Sequence, residues 1–238
     1  MLVDLVSFSG ESEMLKARVK HMRADLTIVY ESDRSFTGLP KQRVGIGSLL
    51  NESAIYVPIT GGADPDPWVN EYAYRREAFD YLKRIGIPDD AIVTVCDVDE
   101  FIDTTKLRDQ LSVWMMSKFQ MSARWFQQNE WASISGAWGY MKDSDVIGMI
   151  QNRGSLPNIV GGWHLSSFLS LEDLQTKWRN FSHQELVREN MNDWVADCWV
   201  NGKAVENGAP MTERDLLGVP VAVLDGPEFW FRGRPDVA

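Results

Sequence analysis

The chain has 238 residues, 44% of them hydrophobic, and a formal net charge of -10. That apolar share supplies a sizeable core and excludes wholesale disorder, and the length points to a single domain. The acidic balance, without any basic tract, argues against a general polyanion binder but leaves room for one local phosphate pocket. In chain order, LVDLVSF (2–8) reads as a strand and ESEMLKARVKHMR (11–23) as a helix, with acids early and bases late as the helix dipole favours. Its Met14, Leu15, Arg18, Val19 and Met22 fall at helical spacing. LTIVYES (26–32) and AIYVPI (54–59) are further strands. A second helix follows, with Asp66 as N-cap, Pro67 at its first position and Gly86 as its stop, and with Trp68, Val69, Tyr72, Phe79 and Leu82 as an apolar face.

The next segment, IVTVCDVDEFID (92–103), runs from a β-branched strand into Asp97, Asp99 and Glu100. Clustered carboxylates repel one another and resist burial, so a core strand ending in three acids needs a reason. In open α/β sheets ligands bind beyond the carboxyl ends of the strands, and acids at i and i+2 there can converge on one hard divalent cation. A solvated acidic turn is the plainer alternative. Beyond this strand come β-rich stretches around 112–126, 132–141 and 159–169, helices near 171–181 and 183–194, and a Gly- and Pro-punctuated tail from about Val200 that reads as loops with short strands. Strand and helix alternate over the first hundred residues, which predicts an α/β fold with a mostly parallel central sheet flanked by helices.

Cys96 and Cys198 are too few for a disulfide framework, and no CxxC pair suggests zinc. No window approaches the roughly 18 apolar residues of a membrane span, and the N-terminus lacks a signal-peptide pattern, so a soluble cytoplasmic protein is expected. The ten Trp are expected to lie mainly in the core.

Four blocks in order give the chain a more specific likeness: DLVSFSGESEMLKARVKHMRADLTIVYESDRSFTGLPK (4–41), NEYAYRREAFDYL (70–82), VCDVDEF (95–101), and GGWHLSSF (161–168) followed by KWRNFSHQEL (177–186). Together they resemble glycosyltransferase family 17, which includes β-1,4-mannosyl-glycoprotein N-acetylglucosaminyltransferases, in a compact bacterial or viral form, the setting of a viral form being the host cytoplasm. The tail from about 190 carries no such likeness. The resemblance implies a GT-A type, Rossmann-like nucleotide-sugar transferase fold over 1–238, with about 1–110 as the nucleotide-sugar half and about 111–238 as the acceptor half and tail. It implies an inverting enzyme that uses a nucleoside-diphosphate sugar, UDP-linked, and an Asp-x-Asp bound to Mn²⁺ or Mg²⁺. The acceptor would be a glycan, a small molecule or, for a viral protein, a hydroxymethylated DNA base.

On that basis Asp99 is the leading metal ligand, with Asp97 beside it or on the donor. His183 matches the family's C-terminal histidine and completes the metal set, with His164 as its rival or as a donor contact. His164 follows two Gly that permit close backbone approach to a ligand. Glu31, Lys41, Arg75, Arg76 and Glu100 are expected on the donor, each with a surface or turn role as its alternative. Glu185 is the candidate base, against Glu130 and Asp143. His21, inside the first helix, reads as structural. A DxD phosphohydrolase and a non-catalytic carbohydrate-binding protein are the competing functions.

Overall fold

The computed structural model describes residues 1–46, 54–214 and 220–231. Strands β1 (Leu2–Ser7), β2 (Leu26–Ser32), β3 (Ala54–Ile59) and β4 (Ile92–Asp97) are parallel, in the order β3-β2-β1-β4. Helix α1 (Ser12–Met22) connects β1 to β2, and α2 (Pro67–Ile85) connects β3 to β4. Register places Ser7 beside both Tyr30 and Asp97, so the carboxyl ends of the central strands share one edge. The α2 boundaries follow the expected chemistry: Asp66 accepts from the Trp68 N–H, and Gly86 takes the left-handed conformation at φ 72°.

Alternation along the strands divides the core. Val3, Leu5, Ile28, Val93 and Val95 pack with Tyr74, Phe79 and Leu82 of α2. Val6 and Val29 face the other way, against Met14 and Leu15 of α1. The α2 face therefore differs from the expected one: Asn70, Glu71, Tyr74 and Ala78 are buried, and Val69 is exposed.

The second half is mixed. Strands β5 (Glu100–Phe101), β6 (Ser112–Gln120), β7 (Trp125–Ala137) and β8 (Asn158–Ser166) extend the sheet as β4-β7-β6-β8-β5, and β9 (Thr212–Glu213) pairs with β7. Only Val98 and Asp99 separate β4 from β5, yet β5 lies at the far end of that order. The two ends can stay this close only if the sheet curls back on itself. That curl carries β7 and β8 round to the acidic end of β4.

Short helices α3 (Trp138–Met141), where the sequence suggested continued β structure, and α4 (Val146–Gln151) follow β7. Next come α5 (Leu171–Asn180) and α6 (Met191–Asn201), which pack through Leu174, Trp178, Met191, Val195 and Cys198. The helix expected at 183–194 is a 3₁₀ turn followed by the start of α6. The tail forms β9 and 3₁₀ turns and places Trp230 in the core, hydrogen-bonded to the Phe168 carbonyl at 3.0 Å. Its segments 215–219 and 232–238 lie outside the described residues. Trp114, Trp125, Trp138, Trp178 and Trp230 are buried, half of the ten rather than most, and Trp131 is exposed. Among the described residues no helix is long and apolar enough to cross a membrane.

Candidate active site

The turn from Asp97 to Glu100 is held from beneath by a buried cation. Arg18 of α1 donates to Asp4 through Nε (2.8 Å) and Nη2 (2.7 Å). Its Nη1 donates to the main-chain carbonyls of Asp97 (3.3 Å) and Glu100. Glu100 closes the turn from the other side: its Oε2 accepts from the Asp97 N–H (3.0 Å) and from Ser133 Oγ (2.7 Å). Burial, with Asp97 nearby, raises the Glu100 carboxyl above its usual range. Glu100 is therefore enclosed, and its contacts give it a turn-orienting role.

The other two acids lie among cations, Asp97 partly exposed and Asp99 buried. Arg75 of α2 donates to Asp97 at 2.9 and 3.2 Å and also pairs with Glu71 at 3.0 Å. Glu71 in turn accepts from Ser182 Oγ at 2.6 Å. Asp99 lies 3.6 Å from His164 Nε2 and 3.7 Å from Lys177 Nζ of α5. Burial alone would raise the Asp99 carboxyl, but His164 and Lys177 outweigh it and hold it well below the usual carboxylate range.

His164 is itself sandwiched. Its Nδ1 meets Glu130 of β7, and Glu130 also accepts from Lys118 of β6 at 3.2 Å. Burial opposes the imidazolium, yet Asp99 and Glu130 raise its pKa to about 10, while Glu130 is pushed down to about 2. Lys118 continues to Glu206 (3.3 Å), which Gln120 also holds at 3.0 Å through each oxygen. The preceding glycines serve this placement. At Gly162 (φ 90°) an added Cβ would lie 2.6 Å from the Phe101 carbonyl oxygen. The close approach that Gly162 permits is thus to the β5 backbone, at a register shift between β6 and β8, while Gly161 faces the Lys106 and Asp103 side chains.

The remaining candidates are distributed as follows. Glu31 is fully buried at the end of β2, accepting from Tyr56 Oη (2.7 Å) and from the Val44 (3.0 Å) and Gly45 (3.3 Å) N–H groups. Lys41 lies 3.4 Å from it. Arg76 turns away to an exposed pair with Asp145 at 3.8 Å, so of the two adjacent arginines it is Arg75 that meets the acidic turn. His183 Nδ1 pairs with Glu185 at 2.6 Å, and its ring meets Trp68 edge-on at 4.6 Å. The His183 contact holds the exposed Glu185 carboxyl below its usual range. Asp143 follows the end of β7 that pairs with Ile92, the opposite end of β4 from Asp97. His21 bonds the Ile102 carbonyl at 2.8 Å, in keeping with a structural role.

Among the described residues, no three His, Cys, Asp or Glu side chains are gathered as a metal cage. Asp97 and Asp99 nevertheless fit a hard cation that takes one or two carboxylates and fills its shell with water and phosphate oxygens. Asp97 keeps 40% of its side chain exposed, which leaves such a cation access. A soft-ligand site is a poor fit, because both Cys are buried and burial pushes Cys96 up to about 12.

The family model for glycosyltransferase family 17 matches residues 1–205, which include the whole of this turn and the side chains around it except Glu206. The chain belongs to glycosyltransferase family 17. It is accordingly a transferase that uses a sugar donor and an acceptor. The match runs past the point near 190 where the sequence likeness stopped, taking in α6. Among the curated proteins none matches the chain.

In this glycosyltransferase the residues that sequence reasoning missed are mainly cations and their partners: Asp4, Glu71, Lys118, Ser133, Lys177 and Glu206. Arg18 did carry a signal, as a charge at a helical position otherwise filled by Met14, Leu15 and Met22. Lys177 opens one of the family-like blocks but has no local pattern that distinguishes it from a surface lysine.

Proposed function

We propose that this enzyme transfers a hexose, such as N-acetylglucosamine, from a UDP-linked donor to a hydroxyl acceptor, inverting the anomeric carbon, with Mn²⁺ or Mg²⁺ held by Asp97 and Asp99. The observation that carries this reading is the placement of those two acids at the carboxyl end of β4, ringed by Arg75, His164 and Lys177. A divalent ion bound there supplies Lewis-acid neutralisation of the departing diphosphate. Arg75 and Lys177 add fixed positive charge on the same side, where negative charge develops as the bond from the anomeric carbon to the diphosphate oxygen breaks. Glu31, fully enclosed, acts on the donor indirectly by fixing the segment at Val44 and Gly45, with Lys41 alongside.

The acceptor oxygen forms the new bond to the anomeric carbon, and its proton passes to a carboxylate. Glu185 is the proposed recipient. It is 60% exposed and pairs, among the described residues, with His183 alone, whereas Glu130 is fixed between His164 and Lys118. The family resemblance adds His183 as a third metal ligand. Its Nδ1 contact to a carboxylate matches the way metal-binding histidines are commonly oriented. A glycan or small-molecule hydroxyl suits the acidic surface better than a DNA base, since the net charge is -10.

Thermal unfolding with UDP and Mn²⁺ tests the reading. The two together should raise the Tm, and Mn²⁺ or UDP alone should do much less. Stabilisation by a glycan alone, with no response to UDP and Mn²⁺, would instead favour a carbohydrate-binding protein.

A further inference from the structure

Lys177 stands between two carboxylates and is hydrogen-bonded to neither. Its Nζ is 3.7 Å from Asp99 Oδ2 and 3.8 Å from Glu11 Oε1, both longer than a hydrogen bond, and 29% of its side chain is open to solvent. It comes from α5, whereas Glu11 precedes α1 and Asp99 follows β4, so three separate parts of the chain meet at this one charge. On the other side of Asp99 lies His164, and Asp97 is paired to Arg75. The two acids proposed to hold the cation are thus already charge-compensated by the protein. An ion arriving alone would have to approach Asp99 against the Lys177 ammonium.

We propose that Lys177 couples metal binding to nucleotide binding: it weakens the hold of Asp97 and Asp99 on a divalent cation alone and releases that hold when a nucleoside diphosphate arrives. The inference rests on the metal-and-nucleotide reading above. The diphosphate gives the ammonium a closer anionic partner, and Glu11 offers it a second anchor while Asp99 turns to the cation. With its ammonium 3.7 Å from Asp99, Lys177 makes this exchange by rotation about its long side chain. Coupling of this kind is reciprocal, so the cation must strengthen nucleotide binding by the same factor. The benefit is selectivity: the site resists loose cations yet closes firmly on the metal-diphosphate pair.

Calorimetric titration of Mn²⁺, with and without saturating UDP, tests this without any turnover. In the wild type UDP should tighten Mn²⁺ binding by about tenfold or more. Lys177→Met keeps the stem but removes the charge. It should bind Mn²⁺ alone several-fold more tightly than the wild type, and UDP should then tighten that binding by a clearly smaller factor than in the wild type, the direct contact between metal and phosphate remaining. Lys177→Arg should restore most of the coupling, and unchanged thermal unfolding of both variants checks that α5 is intact. Should Lys177→Met bind Mn²⁺ alone no more tightly than the wild type, or keep the full UDP effect, the coupling role is overturned while the wild-type synergy leaves the metal-and-nucleotide reading standing. A wild type that binds neither Mn²⁺ with UDP nor UDP alone overturns that reading, and this inference with it.

Discussion

The Arg18 guanidinium donates to both carboxylate oxygens of Asp4, and neither side chain reaches solvent. The pair sits between α1 and the sheet, and its free edge grips the carbonyls of Asp97 and Glu100. It therefore ties the first crossover helix to the acidic turn of the candidate site.

Breaking that pair should damage the fold and the site by separable amounts. Arg18→Met leaves Asp4 buried without its cation, a change that typically costs about 3–5 kcal/mol. For a chain of this size the Tm should fall by on the order of 10 °C, measured by calorimetry. The combination of Arg18→Met with Asp4→Asn should recover part of this loss. Turnover should stay low in both, because the carbonyls of the turn have still lost their donor.

Asp99→Asn should lower turnover by at least about a hundredfold, worth ~2.7 kcal/mol of barrier, while the protein stays folded. The amide fills the same space but no longer carries the charge that His164, Lys177 and a metal would share. Asp97→Asn should be milder, since Asp97 is more exposed and Arg75 keeps Glu71 as a partner. Steady-state kinetics at saturating Mn²⁺ separate the two, and a wild-type rate for Asp99→Asn removes its central role.

The histidines are distinguishable by metal rescue. If His183 ligates, His183→Ala should raise the Mn²⁺ concentration needed for half-maximal rate, and excess metal should restore part of the activity. His164→Ala should instead change KM with little effect on the metal requirement, because His164 is committed to Asp99 and Glu130. Rescue of His164→Ala alone would exchange their roles.

The His164 cluster should give stability a distinct pH profile. The folded imidazole, raised to about 10 from 6.5, binds its proton more tightly than the unfolded one. Its contribution is complete below pH 6.5 and is lost as the pH rises toward 10. Glu130, pushed down to about 2 from 4.5, contributes above pH 4.5 and loses that contribution as the pH falls toward 2. Among the described residues, Asp99 and Glu130 contact His164, and Glu100 and Lys118 lie beside it in register on the neighbouring strands. The Tm of the wild type should therefore fall from pH 7 to pH 10 more steeply than that of His164→Asn. Parallel curves would show that the imidazole is not charged in the folded state.

Much of the fold was legible because its signals are local. β-Branched runs mark the four parallel strands, and Asp66, Pro67 and Gly86 bracket α2 as their capping chemistry requires. The acidic turn was also legible, since three carboxylates at a strand end stand out against the apolar run before them. The curl of the sheet was not, because it depends on β5 pairing with β8, a contact no local pattern announces. For the same reason Glu130 and Lys118 could not be placed beside His164, although Glu130 was weighed as a base. Arg75 and Arg76 were indistinguishable in sequence, and only the rotation of α2 sends one to Asp97 and the other to Asp145. Gly161 and Gly162 suggested a ligand, whereas their space is taken by the strand beside them and by neighbouring side chains.

Hydrolysis or transfer of a UDP-sugar donor, followed in the presence of EDTA and then with Mn²⁺ or Mg²⁺ restored, tests the central claim most directly. If Asp97 and Asp99 hold a cation against a departing diphosphate as proposed, activity should stop in chelator and return with the metal. Full activity in chelator would contradict the account.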